Sequence, residues 1–352
     1  MKTGKISESI LKRSVLKQLH NKNENVAQAP AVGGDYASIH ASQEKHIVLA
    51  TNPVTWEISN NHTYASFAVY AALNNVAVSG AEPIGIMVNV LLPTAANEAQ
   101  LRELMKEMDQ ICADAGVQIM GGHTQVTRAV RRIVVTVTGV GMKHGAPYSS
   151  KNVEPGMDLI VTKWIGLLGT ALLAQEKEQE LRQRYAQPFL DKAKAYSEYI
   201  SILSEAAVAS QSDVCAMHDL SEGGIFGALW EMAEAAGVGL DIDLKKIPIR
   251  QETVEICEFF DVNPYKLLSQ GSLLLAAKDG NRIVRELELA GIPAIVIGKT
   301  TDSNDRVLCQ MEERRFLETL ALLLRVCRQN TASLLTLHRT LSVRWLSLLP
   351  SP

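Results

Sequence analysis

Gly121-Gly122-His123-Thr124-Gln125-Val126-Thr127 and His218-Asp219-Leu220-Ser221-Glu222-Gly223-Gly224 are the two stretches on which the reading of this chain turns. Each follows an apolar, β-rich run, Val117–Met120 before the first and Val214–Met217 before the second. Glycine admits backbone conformations that a Cβ forbids, and the N–H groups released at such a turn can face an anion. Val32-Gly33-Gly34-Asp35-Tyr36-Ala37 and Thr51-Asn52-Pro53-Val54-Thr55 are two further stretches placed beside strand-like runs. None contains GxxxxGK[ST] or GxGxxG, so neither a Walker loop nor a dinucleotide fingerprint is present. Singly, each has an ordinary reading: a tight turn at the glycines, a helix cap at Asp219 or Glu222, a loop histidine at His123. Their joint order is what carries information.

Outward from these stretches, the chain alternates strands and helices. Ile6–Leu19 has apolar residues at helical spacing, Ala29–Tyr36 is a loop, and His46–Thr51 is a strand. Tyr64–Ser79 predicts an alanine-rich helix and Ile84–Leu92 an apolar strand. Asn97 caps a helix whose apolar face runs through Leu101, Leu104, Met105, Met108, Ile111, Cys112 and Ala115, and Gly116 ends it. Ile133–Met142 alternates as expected of a half-covered antiparallel strand. The turn-rich seam Pro147–Gly156 suggests a domain boundary. Beyond it come a strand at Leu159–Thr162, helical segments at Gly166–Ala174, Glu176–Arg184 and Leu190–Ser210, and a helix from about Gly224 to Ala236. An α+β chain is expected: residues 1–150 as one domain, 151–325 as an α/β second domain, and 326–352 as a helical or loosely ordered tail.

Composition narrows the functional classes. With 352 residues, 47% of them hydrophobic, the chain can build one large core or two ordinary ones. A formal charge of −3 provides no basic field for nucleic acid or anionic membrane. The five cysteines, Cys112, Cys215, Cys257, Cys309 and Cys327, include no CxxC pair and read as reduced core thiols. The apolar run Leu159–Ala174 is interrupted by Lys163 and glycines, so no bilayer span is expected. A cytoplasmic protein is expected.

The order and spacing of GGDYA, TNPVT, ALNNVAVSGAEP, GGHTQVT and MHDLSEGG resemble the AIR synthase-like (PurM-like) superfamily, from about Gly4 to residue 320. Within it, the chain is most similar to the HypE-like, AIR synthase-related hydrogenase maturation factors. The resemblance implies a two-domain fold whose N-terminal domain pairs with that of a second copy through a mixed β-barrel. It implies ATP and Mg2+ as cofactors, with a small molecule or a protein carboxamide as substrate. Carried onto this chain, it assigns His123 and Asp219 to catalysis. The cofactor set is Gly33, Gly34, Asp35, Thr51, Asn52, Asn75, Gly121, Gly122, Thr124, Gln125, Glu222, Gly223 and Gly224, with Asp35 and Asp219 as metal ligands.

The chain also departs from the superfamily pattern. Asn52, Asn75 and Gln125 stand where relatives carry acids, Gly34 replaces a further acid, and Trp56 replaces a small residue. Each acid-to-amide change keeps shape and removes a charge, whereas Mg2+ wants carboxylates. The chain ends Leu348-Leu349-Pro350-Ser351-Pro352 with its last cysteine at Cys327, so the HypE reaction through a C-terminal cysteine is not expected. Three functions stay open: an ATP-dependent enzyme activating a small molecule or carboxamide, a non-catalytic dimeric binding or scaffold protein, and a thiamine monophosphate kinase-like phosphotransferase.

Overall fold

A computed structural model describes residues 8–54 and 58–318. Trp56, Cys327 and the tail 326–352 lie outside the described residues. Two sheets organise the chain. The first contains β1 (Val26–Gln28), β2 (Ala37–Ser42), β3 (Lys45–Val54), β4 (Glu82–Leu92), β5 (Gln118–Val126) and β6 (Val134–His144) in the order β1-β2-β3-β6-β4-β5. The second contains β7 (Asp158–Thr162), β8 (Val214–Asp219), β9 (Gly239–Asp243), β10 (Leu273–Ala277), β11 (Ala294–Thr301), β12 (Arg306–Gln310) and β13 (Glu313–Phe316). Its order is β13-β12-β9-β11-β7-β10-β8, antiparallel except where β12 runs parallel to β9. The fold is α+β with two domains, as the motif order implies.

Helix α1 (Asn61–Ala77) begins where the Asn60 side chain accepts from the Thr63 amide, and it is buried almost all round. Its small residues let the first sheet approach closely. A Cβ at Gly139 of β6 would stand 2.9 Å from the Ala72 carbonyl oxygen, which is why β6 carries glycine there. Helix α2 (Glu98–Asp114) opens with a reciprocal capping box between Asn97 and Gln100, and it buries Leu104, Met108, Ile111 and Cys112. It forms the crossover between the parallel strands β4 and β5.

Three sequence expectations change. The stretch from Gly121 to Val126 is not a turn after a short strand but the body of the exposed edge strand β5. Strands β4 and β6 are interior to the first sheet, whose edges are β1 and β5. Leu190–Ser210 is broken into α4 (Gln187–Lys194) and α5 (Leu203–Ser210), with a 3-10 turn at Ala195–Tyr199, after α3 (Leu167–Glu176). The break follows from where its carbonyls go: those of Tyr199, Ile200 and Ser201 accept from Lys163 and Asn74 side chains. The opening helix is irregular, passing from Glu8–Ile10 through a π turn at Leu11–Val15 into a 3-10 turn at Leu16–Gln18.

The domains share a core. Val48 and Ala50 of β3 and Val76 and Ala77 of α1 join Ile160, Ile202, Met217 and Leu273 of the second domain in one buried cluster. That contact brings the C-terminal end of β8 against the first domain.

Candidate functional site

At this junction β8 ends in His218-Asp219, both buried. Helix α6 (Gly224–Ala236) starts just beyond, capped by Gly223 at φ +92° and opening on Gly224 at φ +62°. Gly224 has no room for a side chain, since a Cβ would sit 2.5 Å from the Tyr265 carbonyl oxygen and 2.6 Å from that of Leu267. From the other domain, the loop before β2 presses Gly33 onto α6, where a Cβ would lie 2.5 Å from the Glu231 carbonyl oxygen. The close approach places Asp35 beside β8.

Two interlocked networks result. In the first, His218 Nδ1 lies 2.5 Å from Asp35 Oδ2, and its Nε2 lies 3.4 Å from Glu231 Oε2. Burial would lower the imidazole pKa, but Asp35 and then Glu231 outweigh it and hold the pKa well above the ordinary value. In the second, the Asn75 carboxamide is assigned the orientation that satisfies both of its ends, because the reverse sets its oxygen against Asp219 and its nitrogen against Asn52 Nδ2. Its nitrogen donates to Asp219 at 2.9 and 3.3 Å, and its oxygen accepts from Asn52 Nδ2 at 2.8 Å. Asn52 Nδ2 also donates to the Ala71 carbonyl oxygen at 2.7 Å. Asn52, Asn75 and Asp219 therefore form a relay of amides ending on a carboxylate.

Ligand atoms of Asp35, His218 and Asp219 all lie within 4.8 Å of one another. Yet both imidazole nitrogens already face carboxylates, and Asp219 faces an amide donor. Mg2+ prefers an octahedral shell of oxygens with carboxylates among them. The side chains present do not fit the carboxylate cage that the family resemblance implies.

The sequence-derived residues divide into two sets. Gly33, Asp35, Asn52, Asn75, Asp219, Gly223 and Gly224 gather at the junction, with Gly34 in the same loop as Asp35 and Glu222 half-buried just before α6. The β5 residues do not. Asn52, Val137, Val88 and Gly122 stand level across β3, β6, β4 and β5, so three strand spacings put Gly122 about 14 Å from Asn52. Side chains alternate across a strand. Thr124 falls on the helix-covered face with Asn52, whereas Thr51, His123 and Gln125 fall on the opposite face, as does the position of Gly121. Thr51 Oγ1 bonds Thr138 Oγ1 at 2.8 Å there, and His123 Nε2 lies 3.4 Å from Gln125 Oε1. Within one chain, His123 does not meet Asp219.

Sequence reading missed His218 and Glu231. His218 carried a signal as the neighbour of Asp219, but nothing in the spacing marks Glu231, one helix turn after another from the glycine pair.

Comparison with known proteins agrees with this architecture. The family described as AIR synthase related protein matches with its N-terminal domain over residues 27–143 and its C-terminal domain over 154–309. A Methanocaldococcus jannaschii protein named for hydrogenase expression/formation is 28% identical over 315 residues, covering 87% of this chain and 91% of that one. The carbamoyl dehydratase HypE of Rhodobacter capsulatus is 30% identical over 211 residues, 59% of this chain and 60% of the relative. A crystal structure of HypE in complex with ATP superposes with a TM-score of 0.66 at 19% identity, covering 92% of this chain and 98% of HypE. With both family domains matched in order across most of its length, and the two sheets in place, the chain belongs to the AIR synthase related protein family.

Proposed function

We propose that this chain binds ATP at the junction of its two domains without the carboxylate-held Mg2+ cluster, and acts in hydrogenase maturation as a nucleotide-dependent binding protein. Kinship with the hydrogenase formation proteins and the shared fold of ATP-bound HypE support the first half. So does the start of α6, where first-turn amides without intrahelical partners and the helix dipole suit phosphate.

The amide relay from Asn52 through Asn75 to Asp219 carries the second half. Its donors all end on protein acceptors, and the Asp219 oxygens that a cation would need face an N–H group instead. Without concentrated negative charge to hold the ion, turnover through a metal-bound triphosphate is lost while the anion site at the glycine turn survives. A second reading is ATP-dependent phosphoryl activation of a small molecule or protein carboxamide. The closeness of Asp35, His218 and Asp219, with ligand atoms within 4.8 Å of one another, favours it.

Isothermal titration with ATP, with and without Mg2+, separates the two readings. Binding that differs by less than about threefold, under about 0.7 kcal/mol, is expected. A Mg2+ requirement of about a hundredfold, with ATP hydrolysis, would establish the second reading instead.

A further inference from the structure

The segment 199–202 of the second domain is held from both sides by buried side chains outside the relay. From its own domain comes Lys163, just after β7, at φ +52° where lysine is rarely found. Its ammonium donates to Ser201 O at 2.6 Å and Tyr199 O at 3.1 Å and pairs with Glu205 Oε1 at 2.5 Å. Those three partners account for all three donors of an ammonium group. From the first domain comes Asn74, fully buried on α1. Its Nδ2 donates to Ile200 O at 2.9 Å, and its Oδ1 accepts from the Ile202 amide at 3.1 Å. Successive carbonyls thus go alternately to the lysine, the asparagine and the lysine. Gly271 completes the seat, since a Cβ there would stand 2.3 Å from Tyr199 O.

We propose that Lys163, Glu205 and Asn74 form an interdomain latch that sets the reach of Asn75 to Asp219, making them positioning residues of the site. The inference rests on the reading of that site given above. Asn75 follows Asn74 on one helix, about 100° further round the axis. Fixing Asn74 by two hydrogen bonds to the second domain therefore fixes the roll of α1, and with it the direction in which Asn75 points. A buried ion pair is weak evidence for stability, and its best-attested use is to enforce register. The strained lysine, its buried partner and the doubly bonded asparagine all converge on the same short segment.

A double-mutant cycle tests the latch without nucleotide. Asn75→Ala and Asp219→Ala are made singly and together, and the shift in thermal midpoint is read in three backgrounds: the unaltered chain, Asn74→Ala, and Lys163→Met/Glu205→Leu. Asn74→Ala removes both hydrogen bonds to the segment without burying a charge. It serves should the apolar pair fail to fold, and faster amide exchange at Ile202 confirms that the seat has loosened. The two substitutions are expected to be non-additive in the unaltered chain and to become additive once the latch is altered, an effect that general destabilisation does not produce. Non-additivity of undiminished size in the altered backgrounds overturns the latch. Additivity already in the unaltered chain removes the Asn75–Asp219 bond itself, and the site reading fails rather than the latch alone.

Discussion

At the scale of single residues, the site is built from positions where one atom more or less is decisive. Gly224 has φ +62° and two carbonyl oxygens within 2.6 Å of a would-be Cβ, whereas Gly116 has φ +69° and nothing within 4 Å. Both substitutions to alanine incur the left-handed strain of about 1–2 kcal/mol. Only Gly224→Ala adds a backbone clash, so it is expected to lose a further 1–3 kcal/mol or so in urea unfolding. Equal losses at the two positions would show that the α6 turn is not packed as described. The glycine pairs were legible in the sequence, though not which glycine forbids a side chain, as Gly116 shows; the acid-to-amide pattern of Asn52 and Asn75 was legible only against the family motifs. The pairing of His218 with Asp35 and Glu231 was not. It depends on a loop and a helix meeting in space, and no spacing rule connects them.

At the scale of elements, periodicity predicted well wherever one face is buried. The capped helix Glu98–Asp114 and the strand at β6 follow their patterns, and α6 spans Gly224–Ala236 as read from the sequence. The edge strand β5 was misread because it is exposed along its length and offers no alternation to read, so its glycines looked like a turn. The opening helical segment has a test of its own. Lys12 pairs with Glu234 of α6 at 2.8 Å, as does Arg306 of β12, whose guanidinium stacks 3.9 Å from the Trp230 ring. Lys12, and after it Arg306, hold the Glu234 carboxyl down at about 2. Since its folded pKa is depressed, the stabilisation is fully present above the ordinary carboxylate range near 4.5 and is lost as pH falls from there toward 2. The difference in unfolding midpoint between the native chain and Glu234→Gln is therefore expected to shrink across that window. A difference that stays constant through it would contradict the pairing.

At the scale of the whole molecule, the two-domain α+β fold followed from motif order, while the shared core and the reach of the site across the first sheet did not. The face of that sheet opposite α1 leaves Met87 of β4 and Met120 of β5 each nearly half exposed. Contiguous apolar surface on a sheet face marks an interaction site. We expect light scattering to find a dimer formed through this face and Met87→Arg to shift it toward monomer; a native chain that runs as a monomer would refute the pairing. The same face carries Thr51, His123 and Gln125, so their relation to the junction within one chain is separation, not contact.

On the proposed reading, amides at Asn52 and Asn75 stand in for a cation at the junction. Gln125 lies on the other face of the sheet, so the two junction residues alone should decide the matter. The direct measurement is the thermal midpoint of Asn52→Asp/Asn75→Asp and of the native chain, each with and without millimolar Mg2+. The native chain is expected to show no response. The double variant should melt lower without the ion, through repulsion with Asp219, and recover several degrees with it, as binding to the folded state requires. A native chain already stabilised by Mg2+, or a double variant indifferent to it, would contradict the account.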